Sequence, residues 1–383
     1  HFEQKVTKET KANGERYNFG MKRKIISILM VIAACACVWT AGGKNMALLE
    51  MRAKYNLVSG KPLENAPPLM AFTTVVMGGF RGIIVDVLWL RVSALQERGE
   101  YFEIVQLADW IVKLEPRCGE IMRFHAWNMA YNISVMMPEA EDRWRWINNS
   151  IRLLHDEGLK YDPSDPGIYW EIGWIYQHKV GGTTDRAERY YKVKLAEGIT
   201  SIMGNGRADY AAIESNHGTA ERLEKEYGLD PAVMKEIDAR YGPLDWRIPE
   251  AHSVYWGYRG ARKAGKDEMM PCLRMVYQSM MKLFDVGKLS FDPGRNIYAA
   301  GMEPSLFAGV TRSFEDAIAE YPAEESFVVS YGNFLKDAVK VFHTLNRDED
   351  AQKAYEIYRT RCPKNKIESF EQVVSGQKNQ IMF

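Results

Sequence analysis

The stretch Phe124–Tyr131, FHAWNMAY, and its counterpart Tyr169–Tyr176, YWEIGWIY, decide how this chain folds. Both read aromatic, two spacers, an apolar or aromatic position, a small residue, two spacers and Tyr. Phe124, Trp127, Asn128 and Tyr131 carry the first copy; Tyr169, Ile172, Gly173 and Tyr176 carry the second. Steps of three and four place these side chains on one face of a helix, with the small residue where a neighbouring helix approaches closely.

A second pattern recurs along the chain: a Gly, an aromatic two residues on, an apolar stripe at helical spacing and a closing Pro. Gly99, Tyr101, Ile104, Ala108, Ile111 and Pro116 supply it in GEYFEIVQLADWIVKLEP. Ile151, His155, Gly158 and Pro163 echo its end in INNSIRLLHDEGLKYDP, and Ala351, Tyr355 and Pro363 repeat it in EDAQKAYEIYRTRCP. Each Pro stops one helix pair and opens the next, because it lacks the N–H that a helix interior needs.

Together the two half-patterns resemble degenerate tetratricopeptide repeats, over residues 88–200 and again over 333–363. The resemblance implies an all-α fold, a TPR-like α-α superhelix (solenoid), whose helices present a binding surface and no reaction centre. The spacing departs from the usual period of about 34 residues. The extra residues fall in SVMMPEAEDR and KVGGTTD, so the repeats carry insertions and the groove of a regular array cannot be copied onto them. The runs GGFRGIIVDVLWLR, FHAWNMAYNISV and YGPLDWRIPEAH are also similar to bacterial membrane-anchored proteins of the same layout, a likeness that carries no activity.

The N-terminus points to a membrane. Residues 1–20 contain no Met and no apolar periodicity, and the targeting-like segment that follows at once makes Met21 the expected start of translation. Lys22, Arg23 and Lys24 precede the uncharged apolar run Ile25–Ala41, near the lower limit of about 17 residues for a span. Three outcomes stand: an uncleaved transmembrane or signal anchor, a signal cleaved after Ala34 and Ala36, or a lipoprotein modified at Cys35 in Ile32-Ala33-Ala34-Cys35. In each the chain is exported. Held by its positive flank, the anchored form is a single-pass protein of the bacterial inner membrane with its repeats in the periplasm.

The expected organisation follows: a polar tail 1–20, an anchor 21–42, a stalk 43–68 ending at Pro67-Pro68, TPR-like repeats 69–200, an irregular helical insertion 201–250, and C-terminal TPR-like helices 251–383. Residues 69–90 are strongly apolar, interrupted by Arg81 and Asp86, with Gly78 and Gly82 at small-xxx-small spacing. As a second span they would bury two charges in lipid. As the first solenoid helix they set those charges at its edge, and the glycines permit close packing. The helical reading is preferred because the segment runs straight into WLRVSALQERGEY. From Gly181 to about Tyr241 the pattern loosens: Asp185–Ile199 reads as an amphipathic helix, GNGRADYAAIESNHG as loop, and Asp230-Pro231 as a capped helix start. No convincing strand pattern is seen.

Lys plus Arg equals Asp plus Glu, so no global field favours nucleic acid. Outside the apolar run only Cys118, Cys272 and Cys362 remain, with no Cys-x-x-Cys, which argues against metal, haem and disulfide-scaffold classes. No nucleophile motif or His-Glu-x-x-His is present, and no catalytic residue, cofactor or metal is assigned. The best reactive cluster is Asp245, Glu250 and His252 in DWRIPEAH, the basis of an alternative reading as an enzyme or metal-binding accessory. Against it, a spacing of two splays Glu250 and His252 on a helix.

For partner binding, Arg123, Asn128 and Asn132 bear a partial likeness to the polar residues with which some tetratricopeptide domains hold a peptide carboxylate. Trp144 and Trp146, alternating with Arg in EDRWRW, are candidates to flank a groove. The expected function is a membrane-anchored scaffold or assembly factor that binds a protein or peptide in a concave helical groove, or a subunit of a larger membrane complex.

Overall fold

A computed structural model describes residues 80–115, 118–361 and 367–375, with single positions and short runs at 30–33, 36–37, 39–40, 44 and 51. The chain divides into two units, His1–Ala66 and Pro67–Phe383. In the first, the described positions are helical, and Met30, Val31, Ile32, Trp39 and Met51 are exposed. Among the described residues no helix is long and apolar enough to cross a membrane. Residues 1–29, Cys35, the stalk 43–68 apart from Lys44 and Met51, the segment 69–79 with Gly78, and Pro116, Cys362 and Pro363 lie outside the described residues, so the readings placed on them are not reached.

Among its described residues the second unit is all-α apart from one hairpin. Its first helices are α1 (Phe80–Arg98) and α2 (Tyr101–Leu114), separated at Gly99, whose φ of +71° only glycine adopts without strain. Ile104, Ala108 and Ile111 of α2 are fully buried, as their helical stripe requires. Asp86 of α1 is exposed, at the helix edge. The close packing expected at Gly82 is absent: a Cβ there would meet nothing within 4 Å among the described residues.

The next three helices each contain a π-helical turn. Helix α3 runs through Gly119–Trp127, the π turn Asn128–Ile133 and Ser134–Met136. Helix α4 is Ala140–Arg152, the π turn Leu153–Gly158 and Leu159–Tyr161. Helix α5 is Pro166–Trp174 followed by the π turn Ile175–Val180, and starts with Asp165 accepting the Gly167 N–H at 2.8 Å. Each π turn accommodates one extra residue, so the faces of a regular repeat are rotated past that point. Tyr169, Ile172 and Tyr176 are buried, and a Cβ on Gly173 would overlap Met275 Sδ, as expected of the small position. Trp127, in the other copy, is instead 38% exposed and stacks on Tyr131 at 5.6 Å.

Beyond α5 come α6 (Glu188–Met203), α7 (Tyr210–Ser215), α8 (His217–Tyr227) and α9 (Pro231–Tyr241). Helix α6 starts three residues later than the expected Asp185, because Asp185 turns inward to an ion-pair cluster. Helix α7 lies inside the stretch read as loop; Asp209 caps it by accepting the Ala212 N–H at 3.1 Å. Asp230 caps α9 as expected, accepting the Ala232 N–H at 2.8 Å.

The helical stack resumes at Pro249: residues 242–245 are irregular and 246–248 form a turn, with Asp238 accepting the Leu244 N–H at 2.9 Å and the Trp246 Nε1–H at 3.3 Å.

Helices α10 (Pro249–Ala261) and α11 (Met269–Val286) follow and pack on α5. The chain then forms an antiparallel hairpin, β1 (Lys288–Asp292) and β2 (Ile297–Gly301), with Leu289 opposite Ala300. It corrects the expectation of no strand. Five residues a side are too few for a periodicity signal, but Asp-Pro-Gly-Arg-Asn at 292–296 carries the turn chemistry, with Asn296 at φ +53°. Helices α12 (Phe307–Glu320), α13 (Glu325–Thr344), α14 (Asp348–Arg361) and α15 (Phe370–Ser375) complete the unit. Ala351 and Tyr355 of α14 are buried, as its pattern predicts.

Candidate functional site

Arg123, Asn128 and Asn132 share α3 but not one surface. Five residues separate Arg123 from Asn128, about 140° around an α-helix at about 100° per residue. Arg123 lines a cleft between α3, α5 and α11. Asn128 is 1% exposed; its Oδ1 accepts from Asn132 Nδ2 at 2.9 Å, and its Nδ2 has no partner among the described residues. Asn128 therefore belongs to the interior.

Trp144 and Trp146 are two apart on α4, about 200° around the helix, and cannot flank one groove together. Trp144 stacks on Tyr191 of α6 at 5.9 Å and lines a cleft of about 490 Å³ between α4, α6 and α8. Trp146 is half-buried on another side of the helix.

That cleft contains side chains that the sequence reading passed over. Asn148 and Arg152 follow Trp144 at steps of four, so one stripe of α4 forms its wall, with Asn149 beside it. Lys194 of α6 and Tyr227 of α8 form the opposite side. The acidic groups at the rim are occupied: Glu141 lies 3.8 Å from Arg145, and Glu226 accepts Arg222 Nε at 2.7 Å. The side chains of Asn148, Asn149 and Arg152 have no hydrogen-bond or ion-pair partner among the described residues, and Asn149 and Arg152 are exposed. Two amides that both donate and accept, beside a five-donor guanidinium, are suited to a peptide backbone with a carboxylate. The signal was present in WINNSIR, where Asn-Asn precedes Arg by three.

Asp245, Glu250 and His252 do not converge. Asp245 is bound in two places by Arg247, Nη2 to Oδ2 at 2.6 Å and Nε to Oδ1 at 2.9 Å. His252 is fully buried, stacks on Tyr176 at 4.6 Å and has Nε2 2.9 Å from the Trp246 carbonyl. A carbonyl can only accept, so Nε2 carries the hydrogen, and Nδ1 has no partner among the described residues. Burial lowers this imidazole to about 4 and raises the buried Glu250 carboxyl to about 7. Among the described residues no group of three His, Cys, Asp or Glu side chains could hold a metal ion.

Glu171 of α5 is a second buried carboxyl. It is 6% exposed, and burial raises it to about 7 against the opposing pull of Arg123. His125 of α3 is also buried, which lowers it to about 4. These four groups oppose one another in the pH dependence of stability. Each glutamate is raised from 4.5, so the stability it contributes is complete below pH 4.5 and is lost as pH rises to 7. Each histidine is lowered from 6.5, so its contribution is complete above pH 6.5 and is lost as pH falls to 4. Between these limits two protons retained by the glutamates offset two refused by the histidines.

Single substitutions expose the compensation. Relative to wild type, Glu171→Gln should gain about 3 kcal/mol in unfolding free energy between pH 4.5 and pH 8. Urea denaturation of both proteins across that range reads the difference, and parallel curves would contradict a buried carboxyl at this site.

Comparison with known protein families gives no match to any family model, and comparison with curated proteins gives no match either.

Proposed function

We propose that this chain is a membrane-anchored, tetratricopeptide-like scaffold or assembly factor, with its helical unit exported and the cleft between α4, α6 and α8 gripping a protein or peptide partner. One observation supports the reading above all: Asn148, Asn149 and Arg152 turn hydrogen-bonding groups without internal partners toward an open cleft of about 490 Å³. Groups left free at a concave surface are inexpensive in water and become specific when a partner supplies the matching acceptors and donors. Trp144 beside them, held by stacking on the fully buried Tyr191, offers rigid apolar area of the kind that anchors interfaces. The anchor follows from Lys22–Lys24 and the apolar run Ile25–Ala41.

Crosslinking and affinity capture from membranes test this directly. Wild type should retain a defined partner, and the triple variant Asn148→Ala, Asn149→Ala, Arg152→Ala should lose it with an unchanged circular dichroism spectrum. Equal capture by both proteins would remove this cleft from the function. A reporter fused after Phe383 that is active in the cytoplasm would overturn the exported topology.

A further inference from the structure

A second cleft, on a different side of the unit, has a different chemistry. It lies between α3, the start of α5 and the start of α11, with a volume of about 330 Å³. Arg123 comes from α3, Asp165, Gly167 and Trp170 from the entry of α5, and Glu268 and Cys272 from the entry of α11. The size is at the small end of the range of about 300–1,000 Å³ that holds small organic molecules.

The cleft is built around the guanidinium. A Cβ on Gly167 would overlap Arg123 Nη1, so the arginine lies directly against the glycine backbone, a place that a larger residue would close. Asp165 is fixed by accepting the Gly167 N–H at 2.8 Å. Trp170 is held by stacking on Trp174, with ring centroids 5.4 Å apart and planes at 16°. Cys272, 1% exposed, closes the back as an apolar wall. Glu268 stands at the N-cap of α11 without making a side-chain cap bond.

The charges are unmatched in a specific way. Arg123 has no ion pair or hydrogen bond among the described residues, although two carboxylates line the same cavity, and Glu268 has no ion-pair partner among them either. A lone anion entering would meet Asp165 and Glu268, and a lone cation would meet Arg123. A ligand bearing both charges on one small frame satisfies all three, with its apolar part against Trp170.

We propose that this cleft is a binding site for a small zwitterion of the α-amino acid class. Arg123 receives the carboxylate, Glu268 and Asp165 receive the ammonium, and Trp170 covers an apolar side chain. The site is independent of the peptide cleft between α4, α6 and α8.

Isothermal titration calorimetry of the full chain with L-leucine, N-acetyl-L-leucine and L-leucinamide tests the assignment. L-leucine should bind saturably, and each derivative, having lost one charge, at least about tenfold more weakly. Arg123→Gln should weaken L-leucine and abolish its advantage over L-leucinamide. Glu268→Gln, at an exposed position that does not threaten folding, should weaken L-leucine and reduce its advantage over N-acetyl-L-leucine. The Asn148, Asn149 and Arg152 triple variant should bind L-leucine as wild type does. No saturable heat at millimolar L-leucine, derivatives that bind as tightly as L-leucine, or binding indifferent to both charge variants would each overturn the proposal.

Discussion

Asp185→Ala is expected to destabilise the helical unit by about 3–5 kcal/mol, because it strands two buried cations at once. Arg143 Nη1 lies 3.1 Å from Asp185 Oδ1, and Lys179 Nζ lies 2.7 Å from Oδ2. The side chains of Arg143, Lys179 and Asp185 are only 6%, 5% and 7% exposed. Tyr191 OH donates to the same carboxylate at 3.1 Å, and the Ala187 N–H does so at 2.9 Å. Arg143 also donates to the carbonyls of Met137 and Val135, each at 2.8 Å, closing the C-terminal end of α3. One carboxylate thus ties together the end of α3, the start of α4, the end of α5 and α6.

Burial by itself would raise the Asp185 carboxyl, but the hydrogen bond from Lys179 and those from Ala187 and Tyr191 outweigh it and hold the group below its ordinary value of 3.8. The stability it supplies is therefore complete at neutral pH and is lost only as pH falls below about 4. Urea denaturation at pH 7 measures the cost. The double variant Asp185→Ala, Lys179→Met should cost less than the sum of the two single changes, since it removes one stranded cation with its partner. A loss below about 1 kcal/mol for Asp185→Ala would show that water reaches the cluster and screens it.

The parts of this fold legible in the sequence are those where local spacing and burial coincide. Ile104, Ala108 and Ile111 announce their face, Gly173 announces a close crossing, and Asp230-Pro231 announces a helix start, because each depends on residues within about one turn. Some departures depend on partners distant in the chain, such as the Arg143–Asp185 pair that turns Asp185 away from the start of α6. The π turns at Asn128, Leu153 and Ile175 have no compositional mark, yet they rotate the face presented by the residues that follow them. The non-helical run 242–248 is held by Asp238, which also accepts from Tyr210 OH at 2.5 Å.

The candidate site shows the same division. Residue type pointed to Arg and Asn, and rotation about the helix sends Arg123 to one cleft and Asn128 to the interior. The open amides are on α4, at Asn148 and Asn149. Of the two tryptophans, the one in register with those amides, Trp144, reaches the cleft.

Gly309→Ala should be the most damaging methyl addition in the unit, costing about 3 kcal/mol, at the upper end of ordinary overpacking. Gly309 opens α12 where it crosses the end of α9. A Cβ there would fall inside the Tyr241 carbonyl oxygen, within 2.6 Å of the carbonyl carbon and 3.0 Å from Met280 Cε. A flexible side chain could swing aside, but Tyr241 is backbone at a helix terminus, and both helices are fixed to each other nearby. Arg240 donates to Asp316 of α12 through Nε at 2.8 Å and Nη2 at 2.7 Å, and Tyr241 OH donates to the same carboxylate at 2.8 Å. Moving α12 outward to admit the methyl group lengthens those three bonds, so strain and lost hydrogen bonding add. Gly82→Ala is the matched control: it is also helical, a Cβ there meets nothing within 4 Å among the described residues, and the change should be neutral or stabilising by up to about 1 kcal/mol through helix propensity. Denaturation of both variants decides the matter. If Gly309→Ala unfolds at the same denaturant concentration as Gly82→Ala, then α9 and α12 are not in the close contact that Gly309 permits.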